Sequence, residues 1–196
     1  MKIYWVFGIA LIGGALALAL DEANEWRRDM SEKAYTQTRA KIVRAALANA
    51  QPVDTLVLGD SISEMTFLAG VCGKTFNAAV AGARVGDVAS LAPYAIERTR
   101  PKTIVLEVGT NHFYTDPNLP DFERQYVALV DSLPGRKILV GVPNSPAASS
   151  FVRSVASQVH ATYVEPVTGN LTSGGAHPTP EGAVLYRHRI HQACIG

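Results

Sequence analysis

Thr55-Leu56-Val57-Leu58-Gly59-Asp60-Ser61-Ile62-Ser63 is the stretch on which the reading of this chain turns. The run Thr55 to Leu58 has the character of a buried strand and stops at Gly59. Asp60, Ser61 and Ser63 then supply the residue types that open helices. A serine at such a junction aims its hydroxyl at the carboxyl edge of the strand, where ligands bind in open α/β sheets. Backbone N–H groups at a helix start also favour negative charge. The plainer alternative is an ordinary strand-to-helix turn, with Ser63 or Asp60 as the cap and no further role for Ser61. The two readings separate on whether other strand ends bring a base and hydrogen-bond donors to the same edge.

Upstream the chain changes character. Ile3 to Leu20 is apolar, broken only by small residues, with Lys2 as the single flanking charge before Asp21. Eighteen residues at helical rise reach the lower limit for a bilayer span, which asks for about 20 with a range down to about 17. Residues 1–20 are therefore expected to be a transmembrane anchor or a signal peptide. Ala15-Leu16-Ala17 and Ala17-Leu18-Ala19 offer small-x-small cleavage sites. The run continues to Leu20 without a polar stretch, which favours an uncleaved anchor. Arg27, Arg28, Lys33 and Arg39 follow closely and pull toward the cytoplasmic side. Long domains translocate largely regardless of charge, so the expected location is membrane-anchored or exported, with the domain periplasmic or otherwise extracytoplasmic. Residues 21–51 hold no glycine and no proline before Pro52, and read as a helical stem. Its last turns place Ile42, Val43, Ala46, Leu47 and Ala50 at helical spacing, a face expected to pack on the domain.

From 52 to 196 strand-like and helical patterns alternate. Strands are expected at Thr55–Leu58, Thr75–Asn77, Thr103–Val108, Lys137–Val142 and Thr162–Val164. Helices are expected at Ser63–Ala69, Val85–Arg98, Asp121–Leu133, Ala147–His160 and Pro180–Cys194, with His112–Pro120 as the one long loop. Ile104-Val105-Leu106 and Ile138-Leu139-Val140 are continuously apolar, as in strands covered on both faces. The pattern predicts an α/β fold: a five-stranded parallel sheet in a three-layer α/β/α sandwich, preceded by an N-terminal hydrophobic helix. In such a sheet the loops after the strands carry function. They hold Ser61, then Gly82, then Asn111, and, before the last helix, His177.

A serine hydroxyl needs a neighbouring base to become a nucleophile, and imidazole titrates near working pH. Attack on an ester carbonyl builds an oxyanion, which needs donors held in place beforehand. The backbone N–H groups of Ser61 and Gly82 and the side-chain amide of Asn111 are such donors. These four segments, in this order, resemble the blocks of the SGNH/GDSL hydrolase family: Gly59-Asp60-Ser61, the segment ending at Gly82, Gly109-Thr110-Asn111 and Ala176-His177-Pro178. The resemblance spans Leu56 to about Tyr186. It implies a flavodoxin-like SGNH fold, Ser61 as nucleophile, His177 as general base, and Gly82 and Asn111 as oxyanion donors. Two positions depart from the family pattern. Gly174 stands where the family carries an aspartate three residues before the histidine, and His112 follows Asn111 where the family often has aspartate. A carbonyl near Ser173 or Gly174 is the expected partner of the second His177 ring nitrogen, with Glu165, or another acid that sequence order does not single out, as the alternative. His112 is expected to line a rim or cap a loop, and Asp60 to organise its turn.

The remaining features exclude more than they add. A net charge of +1 with 18% charged residues gives no electrostatic footprint for nucleic acid. Gly59, Gly82 and Gly86 form no dinucleotide fingerprint and there is no Walker run, so no cofactor is expected. His188 and His191 lack a third ligand, and Cys72 and Cys194 lack metal-site spacing, so no metal is expected either. The two cysteines are open between a disulfide and two buried thiols. Thr179-Pro180-Glu181 reads as a helix start, and Asn144-Ser145-Pro146 as loop and cap. The expected activity is hydrolysis of small carboxylic esters, acyl or acetyl and saccharide esters included, through an acyl-serine. The alternatives are a lysophospholipase or thioesterase, or a membrane-tethered binding module that has lost catalysis.

Overall fold

The structure, a computed structural model, describes residues 22, 24, 27, 30–115 and 118–196. The hydrophobic helix expected over 1–20 lies outside the described residues, and no helix among the described residues is long and apolar enough to cross a membrane. The chain divides between Thr38 and Arg39 into two units. Residues 30–38 of the first are helical, with Thr36 Oγ1 donating to the Glu32 carbonyl at 3.0 Å.

The second unit opens with helical residues 39–48 (α1). Val43 and Leu47 of α1 are buried, one turn apart, while Ile42 and Ala46 face solvent. The strands are β1 (Thr55–Gly59), β2 (Thr75–Asn77), β3 (Thr103–Glu107), β4 (Arg136–Val140) and β5 (Thr162–Val164). They pair in parallel in the order β2-β1-β3-β4-β5. The helices after α1 are α2 (Ser61–Met65), α3 (Val85–Thr99), α4 (Thr110–Thr115), α5 (Leu119–Ser132), α6 (Pro146–Gln158) and α7 (Pro180–Ile195). A short antiparallel pair, β6 (Thr172–Ser173) and β7 (His177–Pro178), precedes α7.

Side chains of successive strand residues leave opposite faces of the sheet. Leu56, Leu58, Ile104, Leu106 and Leu139 pack into one core with α1, α3, α5 and α6. Val57, Val105, Ile138 and Val140 pack into the other with Ile62, Tyr186 and Ile190 from α2 and α7. This is the expected three-layer sandwich around a five-stranded parallel sheet. Capping residues start the helices: Asn118 accepts from Asp121 N at 3.1 Å, Ser145 from Ala148 N at 3.2 Å and Thr179 from Gly182 N at 3.2 Å.

Two local readings are corrected. The helix expected at Ser63–Ala69 is α2, which starts at Ser61 and ends at Met65, because Asp60 rather than a later residue caps it and Thr66 turns extended. The segment read as a long loop contains α4. Six residues are too few to display helical periodicity, and tertiary packing decides: the rings of His112 and Phe113 sit 5.7 Å and 5.1 Å from that of Phe122.

Cys72 and Cys194 form a disulfide with a Cα–Cα separation of 5.8 Å, spanning 122 residues of sequence. It ties the segment after α2 to the end of α7. Removing a native disulfide costs about 2–5 kcal/mol, and a loop of this length lies toward the upper end, chiefly because the cross-link restricts the unfolded chain. The variant Cys72→Ala/Cys194→Ala should therefore lose stability in that range in urea titrations, and reductant should lower the wild-type midpoint but not the variant's. Equal midpoints with and without reductant would contradict the role.

Candidate active site

β1 lies between β2 and β3, so the chain leaves it to one side and comes back on the other. A crevice opens at the carboxyl ends of such strands, and the segment after β1 sits in it. Gly59 is the last residue of β1, in register with Glu107, and a Cβ at this position would collide with the Glu107 carbonyl oxygen. Asp60 N donates to that same carbonyl at 3.1 Å. Asp60 Oδ1 then accepts from Ile62 N at 3.0 Å, which starts α2 and fixes Ser61 at its first position. Ser61 Oγ lies 2.8 Å from His177 Nε2. The structure thus brings together two residues 116 positions apart, within proton-transfer distance.

The segments that carry the expected donors are tied to the same edge. Gly82 occupies the loop after β2 in the left-handed conformation, φ +80°, which glycine adopts without penalty. That loop is bound to the Ser61 segment: Val80 N donates to Gly59 O at 3.0 Å, Asn77 Nδ2 to Ser63 O at 2.7 Å, and Ala81 N to Glu64 Oε2 at 2.5 Å. Asn111, at the start of α4, donates from Nδ2 to Ala83 O at 3.1 Å, which orients its amide against the Gly82 loop. Ser61, Gly82, Asn111 and His177 therefore belong to one hydrogen-bonded edge.

The other singled-out residues fall elsewhere. Asp60 organises its turn as expected. His112 is buried, with Nε2 3.1 Å from Asn118 O, and supports α4 from beneath. Glu165 pairs with Arg153 and accepts from Tyr163 OH at 3.2 Å. The Gly174 carbonyl accepts from Tyr114 OH at 2.8 Å. Among the described residues, neither a carboxylate nor a carbonyl hydrogen bonds to the second ring nitrogen of His177, so the expected carbonyl partner is not found. Asn144 Nδ2 donates to Thr110 O at 3.2 Å, and His191 Nδ1 lies 2.8 Å from Val71 O.

Reading the sequence missed Glu107. Its signal was a lone carboxylate ending a strand that is otherwise apolar. Glu107 and Asp60 are both fully buried, one behind the other at the base of α2. Glu107 Oε2 accepts from Ser63 N and from Ser63 Oγ, each at 3.2 Å, and Ser63 Oγ lies 3.0 Å from Tyr186 OH. Asp60 Oδ2 is buried beside Glu107 and Thr110 without a well-formed hydrogen bond among the described residues. Burial pushes the Asp60 carboxyl up to about 6, against the Ile62 N–H bond and the His177 charge, which both lower it. Burial, with the Asp60 charge next in size, raises Glu107 well above the usual carboxylate range.

No protein-family profile and no curated protein sequence matches this chain. Solved structures match it in fold. A GDSL-like lipase from Bacteroides thetaiotaomicron aligns with a TM-score of 0.60 at 18% identity, over 84% of this chain and 97% of the lipase. An acetyl xylan esterase aligns with a TM-score of 0.61 at 15% identity, over 74% of this chain and 99% of that one. An esterase from a Pseudoalteromonas species, described as inhibited by monoethylphosphonate, aligns with a TM-score of 0.57 at 17% identity, over 71% and 94%. The second unit has the SGNH/GDSL hydrolase fold.

The buried carboxyls make stability depend on pH. Raised pKa values mean that the folded state holds protons that the unfolded chain releases. Stability is then fully present below about pH 4, the usual carboxylate range, and is lost as the pH rises through about 6. Asp60→Asn keeps the acceptor for Ile62 N–H and removes the charge. Its thermal midpoint should exceed the wild type's near neutral pH and converge with it near about pH 4. A wild-type stability that does not fall across that range, or an Asp60→Asn variant destabilised throughout, would contradict the assignment.

Proposed function

We propose that the protein is a serine ester hydrolase working through an acyl-serine intermediate. The observation that carries this reading is the contact between Ser61 Oγ and His177 Nε2 at 2.8 Å, at the crevice of the sheet. Ser61 Oγ attacks the ester carbonyl carbon while His177 Nε2 accepts its proton. Negative charge gathers on the former carbonyl oxygen, facing the N–H groups of Ser61 and Gly82 and the Asn111 amide. Collapse expels the alcohol, which takes the proton from His177. Water, deprotonated by the same nitrogen, then attacks the acyl-serine, and breakdown of that adduct frees the acid and restores Ser61.

The substrate class is a small acyl ester, with acetyl on a saccharide as the leading case. Two features support this reading. The segments that join β1, β2, β3 and β4 to the helices after them are short, so no lid-sized insertion among the described residues walls a channel for a long acyl chain. One solved structure of the same fold is an acetyl xylan esterase. We also propose that the domain works outside the cytoplasm, tethered or exported by residues 1–20. The Cys72–Cys194 disulfide supports it, since such bonds persist in oxidising compartments.

A fluorophosphonate probe tests the core of the reading. Ser61 in the folded wild-type chain should label, and Ser61→Ala should abolish both labelling and turnover while changing stability by less than about 1 kcal/mol. Failure of the folded wild type to label at Ser61 would sink the proposal. Asn111→Ala should lower kcat on a short p-nitrophenyl ester about 10²–10³-fold, as loss of one oxyanion donor does. Faster turnover of long-chain or lysophospholipid esters than of acetyl esters would overturn the substrate class but leave the chemistry standing.

A further inference from the structure

With Gly174 in place of an acid and no partner on its second ring nitrogen among the described residues, the imidazole of His177 takes its placement from the hairpin that carries it. That hairpin is slight. β6 and β7 are two residues each, paired Thr172 with Pro178 and Ser173 with His177. Gly174 and Gly175 turn it at φ +60° and +78°, with open space around both. Ala176, the third residue of the turn, is buried, and the base is held by Thr179 N donating to Leu171 O at 2.8 Å. Gly174 and Gly175 themselves have no side chains to pack.

α4 is the opposite case. His112 and Phe113 seat it on the aromatic cluster around Phe122, leaving its other side toward the crevice. Asn111 and Tyr114 are three residues apart and so neighbours on one helical face. Tyr114 is half exposed at 52%, yet its hydroxyl donates to Gly174 O at 2.8 Å. This bond links the segments following β3 and β5, which are not neighbours in the sheet because β4 lies between them.

We infer that Tyr114 is a positioning residue for the general base: its hydroxyl pins the tip of the His177 hairpin to the helix that carries Asn111, and so sets base and oxyanion donor against each other across Ser61. The inference rests on the hydrolase reading. It makes α4 a shared platform for two parts of the reaction. Partial burial, with the Asp60 charge adding, raises the Tyr114 hydroxyl above its ordinary pKa, so the donor is in place across the neutral range.

Tyr114→Phe in the full chain removes the hydroxyl and keeps the ring. We expect kcat on a short p-nitrophenyl ester to fall about three- to tenfold, one hydrogen bond expressed as a rate, with KM within about twofold. Fluorophosphonate labelling of Ser61 should slow by the same factor. Amide exchange over 172–177 should quicken, with the thermal midpoint unchanged. In a His177→Ala background the same substitution should lower the residual rate no further, because the group it positions is gone. Wild-type kcat and labelling in Tyr114→Phe would overturn the inference and leave the hydrolase reading intact, and so would an equal loss in the His177→Ala background. A wild-type chain that does not label takes both down.

Discussion

At the carboxyl end of β1 the chain passes so close to β3 that no side chain fits at Gly59, and the rest of the site follows from that approach. The Glu107 carbonyl that excludes a Cβ also accepts the Asp60 N–H, which turns the chain out of the sheet. The turn sets Asp60 to cap α2, and the cap sets Ser61 at the first helical position, facing His177. α2 has only five residues, so its macrodipole is small.

That geometry requires an uncomfortable interior. Two carboxyl groups, Asp60 and Glu107, are buried together beside Ser61, where an isolated charge is strongly disfavoured. The site manages this by raising both pKa values and by supplying donors to Glu107 from Ser63. Truncating either acid would leave the other, or Ser63, without its partner. The pair is best understood as the rigid floor of the turn: it lowers stability near neutral pH and holds α2 in one orientation.

The layers of the fold were legible because their cause is local. Continuous apolar runs such as Ile104-Val105-Leu106 mark strands covered on both faces, and Pro146 and Pro180 after capping residues mark helix starts. Ser61, Gly82 and Asn111 could be singled out because they lie in segments that follow strands, and His177 because it precedes the last helix, in an order that resembles the SGNH/GDSL blocks; of these the structure puts Ser61 and His177 in direct contact. α4 was not legible, because six residues carry no period and its helix depends on Phe122, ten residues beyond His112. The partnership of Glu107 with Asp60 and Ser63 was not, because it depends on the β1–β3 register rather than on spacing. Tyr114 and Gly174 are sixty residues apart, and nothing in either segment announces the other.

The two faces of the sheet are covered unequally, and this bears directly on the dyad. One face has four helices; the other has α7 and the short α2, yet Ser61 opens α2 and His177 precedes α7. Any slide of α7 against the α2 segment would pull His177 from Ser61. Three residues on one stripe of α7, spaced i, i+4 and i+7, oppose that slide. Arg187 donates to Phe67 O, His191 lies 2.8 Å from Val71 O, and Cys194 is bonded to Cys72. Each meets the segment that leaves α2, so the thin layer is stitched along its length rather than held by burial alone. The disulfide closes the far end of this seam and the Ser61–His177 contact lies toward its near end. The disulfide thus closes, at the far end of α7, the layer whose near end holds Ser61 and His177 in contact.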